Sequence, residues 1–434
     1  MSQERRSYGN QQKFKEVTKM PKSDTIQRLL DQVEELYVHP RNQENLKKWV
    51  PQPQRSRDNK WRGVPAPVDI AGGQIPIVVN MELSLKSGIH GFSVKEYLQN
   101  PEVWLENHLR HVIYRFTEIQ DDVPVLLHIP TVLVAAVEFS LWGSEVTYKD
   151  DDDPALSSTP LIKDLSNIDA LPMPDFNQSG MMALAKPLYA YVCEQVRGRE
   201  FTVSFMEWVR GPFGLALQLY GREEFLNAMT FDSEGAHRLM NHITQARIKW
   251  TRQRAEYLGE EEYVTAALFA DSVNGTNLTP EGYLEFVQPY EMEIAELHGG
   301  INYWHSCGDT TVLLEQLSGL PLELFHVGPW TDVQKAAEQF GPKGVALEIC
   351  RSKYKWYGPH PIPAAEDVLR ATPEEIERMV RRTVRQAVEG GATAFSLVAG
   401  PLGIRADAEH DVKKIVKQVK QWVHTTRTVL ANLG

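Results

Sequence analysis

Short, continuously apolar runs alternate along the chain with longer stretches in which apolar residues recur every three or four positions. The runs fall at residues 75–80, 123–129, 201–205, 264–270, 300–304, 322–327, 345–349 and 393–398. They are rich in β-branched and aromatic residues and lack the strict alternation of a half-exposed strand, so each reads as a strand buried on both faces. Helical periodicity fills the intervals, at 25–38, 94–119, 213–220, 222–229, 234–257, 310–317, 332–340 and 411–430. Two further helix starts are written out in full. Thr279-Pro280-Glu281 pairs a capping threonine with proline at the first helical position. Thr372 and Glu375 form a capping box whose helix carries Ile376, Met379, Val380, Val384, Ala387 and Val388 on one stripe and stops at Gly390-Gly391.

Strands that alternate with helices require a parallel sheet. Centres at Val78, Val125, Val203, Leu268, Tyr303, Phe325, Leu347 and Leu397 give the strand number of a closed barrel. The expected fold is therefore α/β, a (β/α)8 TIM barrel with an N-terminal helical extension. Residues 1–60 form the arm and helix, and 61–434 the barrel. An open doubly wound sheet has less support, because no G-x-G-x-x-G follows the first strand. The acidic run Asp150–Asp153, followed by Pro154, reads as a solvated loop.

Composition narrows the function classes. The net charge is −11 and no basic cluster stands out, which argues against nucleic acid as a partner. No apolar run is long enough to span a membrane. The first residues have no apolar core of a signal peptide, so a cytoplasmic location is expected. The three cysteines, Cys193, Cys307 and Cys350, are too few for a disulfide framework. Cys193 lies in a helical stretch and is assigned to packing.

In barrels of this kind the chemistry sits where strands end. At one such end, His305 and Cys307 are two apart and share a face, and Gly308 lets the chain turn away. At another, Glu348 and Cys350 do the same. Imidazole, thiolates and a carboxylate are zinc ligands. His305, Cys307 and Cys350 form the expected site, with either Glu348 or His326 to complete it. Asp271 and Glu207 are the candidate catalytic acids. Asn80, Glu82, Trp208, Asn274, Tyr303 and His326 are candidates for substrate binding. Aromatics at the strand ends and loops (Trp208, Tyr303, Trp330, Tyr354, Trp356, Tyr357) would suit a flat ligand.

Several local motifs resemble the uroporphyrinogen decarboxylase superfamily. They are Arg210-Gly211-Pro212-Phe213 with Ala216 and Gly221, Leu278-Thr279-Pro280 leading to Phe286 and Pro289-Tyr290, and His305-Ser306-Cys307-Gly308. The stretch 143–171 resembles the linker of its methyltransferase branch. That branch carries H-x-C-G and a later cysteine as a zinc site, and exchanges methyl groups with the cobalamin of a separate corrinoid protein. In its coenzyme M members the later cysteine lies in the last strand's loop, near what is here Gly400-Pro401-Leu402, whereas Cys350 is one strand earlier. The resemblance is closest to aryl-ether O-demethylating components. It implies methyl transfer from a methoxylated aromatic to the Co(I) of a corrinoid protein. A thiol methyltransferase of the coenzyme M type and a uroporphyrinogen decarboxylase-like lyase are the alternatives. The decarboxylases lack H-x-C and use an R-x-x-x-R loop, where this chain has only Arg55 and Arg57. A zinc hydrolase is disfavoured by two thiolates, and a corrinoid-binding module by the lack of D-x-H-x-x-G. A homodimer is left open.

Overall fold

A strand buried on both faces must find hydrogen-bond partners along each edge, and in this chain eight strands are joined by ladders, by one bridge and, at one seam, by side chains. The computed structural model describes residues 21–50, 63–68, 74–133, 136–259, 266–351, 368, 370–403 and 411–433. All eight apolar runs yield strands: β1 Ile77–Met81, β2 His128–Thr131, β3 Thr202–Phe205, β4 Ala266–Phe269, β5 Ile301–His305, β6 Leu324–Val327, β7 Ala346–Cys350 and β8 Phe395–Leu402. Six form one parallel sheet in the order β1-β8-β7-β6-β5-β4, and β2 pairs in parallel with β3. A parallel bridge from Arg210 to Phe269 ties the chain after β3 to β4. Gly211 N–H and Phe269 N–H bond across that join, at 3.0 and 2.7 Å.

The remaining seam, between β1 and the chain entering β2, is closed by side chains. Ile77 N–H donates to Asp122 Oδ2 at 2.9 Å and Val79 N–H to Asp121 Oδ2 at 2.8 Å. The carbonyl of Ile77 accepts from Asp122 N–H at 2.8 Å, and that of Val79 from Arg115 at 2.7 Å. Both aspartates are buried, and each is neutralised. Arg115 grips Asp121 at 2.5 Å, while Lys48 and Arg427 each reach Asp122 at 2.9 Å. Two carboxylates thus stand in for a strand ladder.

That seam explains two departures from the sequence pattern. The run 123–129 becomes strand only from His128, because Asn42 brackets the N–H and C=O of Val125 at 2.8 and 2.9 Å and takes them from any ladder. The stretch 94–119 is not one helix. It breaks at Asn100, whose side chain caps a new helix over Pro101–Tyr114, and ends in a π-helical turn over Arg115–Ile119. The start of the strand expected at 264–270 and the aromatics Tyr354, Trp356 and Tyr357 lie outside the described residues. The capping box at Thr372 and the Thr279 cap form as expected. Cys193 is half-buried and packs against the hydrophobic core. Among the described residues, no helix is long and apolar enough to cross a membrane.

Strand parity sorts the two faces. Ala267, Tyr303, Leu324, Ala346 and Ala394 form one cluster inside the barrel, where three alanines leave room for the tyrosine ring. Leu268, Trp304, Phe325, Leu347 and Leu397 point outward into the main core. Behind β5, Trp304 Nε1 lies 3.3 Å from Glu291 Oε2, which also accepts from Tyr283 Oη at 2.9 Å. Burial outweighs those bonds and pushes the Glu291 carboxyl up to about 7.

Two stability measurements follow. Asp122→Ala strands the Ile77 N–H and two cations, so urea unfolding should show a loss of about 3–5 kcal/mol, as when one partner of a buried ion pair is removed. Glu291 binds its proton more tightly folded than unfolded. Stability should therefore fall as pH rises from the ordinary glutamate range to about 7 and level off above it. Glu291→Gln should remove that slope from urea midpoints measured between pH 5 and 8.

Candidate metal centre at the barrel mouth

Five strand ends converge on one cluster. β5 places Tyr303 and His305 on the inward face, and Cys307 follows just past its end. His326 on β6 is register partner to Glu348 on β7. Phe269 on β4 is register partner to His305, and the turn after it carries Asp271. β8 runs beside β7, with Val398 opposite Cys350.

His305 is the hub. Its Nε2 lies 3.1 Å from Cys307 Sγ and 3.2 Å from Asp271 Oδ1. Its Nδ1 lies 2.8 Å from Tyr303 Oη, which is 2.6 Å from Glu348 Oε1. The His326 ring stacks on it with centroids 4.0 Å apart, and His326 Nδ1 donates to the Ser306 carbonyl at 2.9 Å. Among the described residues, two donor groups arise in which the ligating atoms all lie within 4.8 Å of one another: Asp271, His305 and Cys307, and His305, His326 and Glu348. Cys350 is in neither. Its Sγ donates to the Gly400 carbonyl at 3.0 Å, yet it is near enough to Cys307 for a charge on one sulfur to oppose a charge on the other.

The electrostatics favour a cation. Burial, then the Asp271 carboxylate and Cys350, hold the Cys307 thiol well above its ordinary pKa. Desolvation works against the Asp271 carboxylate, but the His305 ring and Arg210, 2.6 Å from its Oδ2, outweigh that and hold its carboxyl far below the usual range. Imidazole, thiol and carboxylate converging in one site make a donor set that fits zinc. A dication there would reverse the forces that keep Cys307 protonated.

The other candidates are spread more widely. Asn274 donates to the Asp271 carbonyl at 3.3 Å and accepts from Thr276 N–H at 3.0 Å. It fills the space a side chain at Gly308 would need, so its visible work is to shape the turn under the site. Asn80 abuts Gly400, and Glu82 sits where a side chain on Gly403 would go, so both line the β1–β8 side. Glu207 is buried 3.5 Å from Arg254 and belongs to neither donor group. Trp208 packs edge-on against Trp142 and Trp250 in the core. Two participants escaped the pattern reading. Arg210 was legible only as part of Arg-Gly-Pro, and its pairing with Asp271 depends on the bridge to β4. Phe269, with its ring centroid 4.9 Å from that of His305, ends an apolar strand and gave no separate signal.

A barrel with a polar, metal-compatible cluster at the C-terminal ends of its strands is the plan of an enzyme of the TIM-barrel class. The uroporphyrinogen decarboxylase (URO-D) family profile matches residues 89–422. The chain belongs to that family. Comparison with curated proteins gives no match. Among solved structures, a methyltransferase from Methanosarcina mazei is similar, with 16% sequence identity and a TM-score of 0.55 over 81% of this chain and 93% of that one. At that identity the likeness speaks for the fold.

Zinc added to metal-free protein should bind at about one ion per chain and release protons as thiols ionise. Elemental analysis and an indicator dye in weak buffer measure both. His305→Ala and Cys307→Ala should each abolish stoichiometric binding, whereas Glu207→Gln should leave it intact.

Proposed function

We propose that this chain is a zinc-dependent methyltransferase that moves a methyl group from an aryl methyl ether to the Co(I) of a separate corrinoid protein. The observation that carries this reading is the convergence of His305 Nε2, Cys307 Sγ and Asp271 Oδ1 at the mouth of a URO-D-family barrel. His305, Cys307 and Cys350 would hold the ion, with Asp271 beside them. When bound there, zinc supplies Lewis acidity that makes an ether oxygen a better leaving group.

The chain's own residues supply the rest. Tyr303, His305, His326, Glu348 and Cys350 are buried, while Arg210, Phe269, Asp271 and Cys307 are half-buried. Substrate therefore approaches from the β3–β5 side. Phe269 offers an aromatic face to a flat ring. Arg210, 2.6 Å from Asp271 Oδ2, holds that carboxylate ionised and would bring positive charge to an oxygen on which negative charge develops.

The test is phenol release from a methoxyarene with Co(I) cobalamin as acceptor, using zinc-loaded protein. Turnover should track zinc content and fall at least about 100-fold in Cys307→Ala, the scale of losing a principal electrostatic contributor. Methylation of a thiol from methylcobalamin, without phenol release, would reverse the direction of transfer. Carbon dioxide release from a porphyrinogen would replace methyl transfer by decarboxylation.

A further inference from the structure

We propose that Lys86, His90, His108 and His111 form a binding site for a small oxyanion, phosphate or sulfate, beside the seam between β1 and β2. None of these residues belongs to either donor group at the barrel mouth, so the site stands apart from the metal reading.

Two helices supply the groups. The helix over Leu83–His90 follows β1 and carries Lys86 and His90 four apart, on one face. The helix over Pro101–Tyr114 carries His108 and His111 three apart, also on one face, and Arg115 comes one turn later. The two faces meet. His90 Nε2 lies 3.4 Å from His111 Nδ1, with the rings edge-on and their centroids 5.6 Å apart. The Tyr114 ring stands edge-on to His90 at 5.4 Å, and His108 stacks flat on Trp104 at 4.9 Å. Lys86 is near enough to His108, His111 and Arg115 for its charge to act on all three. Arg115 is the seam residue that grips Asp121 and the Val79 carbonyl, so the cluster stands against that seam.

The cluster holds more donors than acceptors. A lysine ammonium offers three N–H donors and each neutral imidazole one. Among the described residues, the Lys86 ammonium makes no hydrogen bond or ion pair, the His108 ring makes only its stacking contact, and His111 meets only the His90 ring. Polar groups set this deep are as a rule hydrogen-bonded, so a gathering of unmet donors calls for an acceptor. All four side chains are half-buried, which leaves each open to an ion from solvent.

The charges select an anion. Burial, then the Lys86 charge, hold His111 well below the ordinary histidine range, and Arg115, His90 and His108 add to this. Burial, then Lys86 and His128, push His108 down to about 3. Burial, then Arg110 and Lys86, push His90 down to about 4. Burial and Arg115 bring Lys86 down to about 8 against the pull of Asp153, so the ammonium is still charged at neutral pH. The nearby acids are engaged or discouraged: Arg115 holds Asp121, Arg110 holds Glu106, and burial with Asp152 raises Asp153. A cation would meet Lys86 and Arg115. An oxyanion meets one fixed charge and imidazole N–H groups, and it reverses the forces that keep the histidines neutral, so its binding draws protons onto them.

Inorganic phosphate and sulfate would be titrated into the full-length protein by calorimetry near neutral pH, in buffers of different ionisation enthalpy. Sulfate exchanges no proton of its own there, so protons taken up with it belong to the protein. Wild type should bind one ion per chain with net proton uptake. Lys86→Met and His111→Gln should each weaken binding by about 10-fold or more, the scale of one hydrogen bond to a charged group. Lys417→Met, at an exposed lysine on the last helix, should leave it unchanged. Thermal midpoints check folding. Lys86→Met removes a desolvated charge and keeps the apolar stem, so it carries the test if His111→Gln does not fold. Glycerol phosphate separates two sources of the same chemistry: binding as tight as that of inorganic phosphate assigns the site to a phosphate on a larger ligand, and its exclusion assigns it to the free ion. Equal affinity in wild type and Lys86→Met would mark an adventitious ion only and overturn the proposal, as would the lack of stoichiometric binding at millimolar phosphate. Sulfate binding without proton uptake would place the ion away from the histidines and would overturn it too.

Discussion

The barrel depends on two buried carboxylates. A closed sheet has no edge, yet β1 has a strand ladder on only one side, and its other edge would leave N–H and C=O groups unmet inside the protein. Asp121, Asp122 and Arg115 meet the groups of Ile77 and Val79. An unpaired buried charge would cost more than the hydrogen bonds return, so each aspartate brings its own cations. Lys48 comes from the N-terminal segment, Arg115 from the π-helical turn, and Arg427 from the last helix over Val412–Ala431. The seam therefore joins three distant parts of the chain. With Asn42 and Trp49 also bonded to residues 122–125, the N-terminal segment is part of the barrel's closure.

Closure matters because the site is built from strand ends. His305, His326, Glu348 and Cys350 come from consecutive strands, and their spacing is the spacing of the sheet. Asp271 and Cys307 lie just past strand ends. The turn that carries Cys307 is pinned by Ser306, whose hydroxyl donates to the Val273 carbonyl at 2.9 Å and accepts from Gly308 N–H at 3.2 Å. Gly308 must be glycine for lack of room beside Asn274, and Gly328 for lack of room beside the carbonyls of Ser306 and Gly308. A scaffold this constrained can hold Cys307 beside Asp271 and Cys350, whose negative charges would oppose its own, which is what a metal site demands of a protein.

Much of this was legible from residue order. Continuous apolar runs placed all eight strands, because strands buried on both faces leave that signature. H-x-C at a strand end pointed to the candidate centre, because residues two apart in extended chain share a face. The seam was hidden, since two adjacent aspartates before an apolar run look like a solvated turn until their partners arrive from residues 48, 115 and 427. The roles within the site were hidden for a related reason. Parity says which residues face inward but not at what height along the barrel, and height decides that Tyr303 stands between His305 and Glu348. Asp271 shows the converse. It was read as a catalytic acid at a strand end, and only the fold brings its carboxylate within 3.2 Å of the His305 Nε2.

Height also bears on the displaced cysteine. The resemblance places a thiolate in the loop after the last strand, near Gly400, and this chain has none there. Cys350 ends the neighbouring strand, and its Sγ reaches the Gly400 carbonyl. Adjacent parallel strands are less than 5 Å apart, so a side chain from β7 can deliver sulfur to the space that a side chain from β8 would otherwise fill. The substitution moves the cysteine by some fifty positions in sequence and by about one strand in space. On that geometry the shift changes the strand that carries the sulfur more than the sulfur's place. Gly400 near the end of β8 and Gly403 just after it are pressed against Asn80 and Glu82.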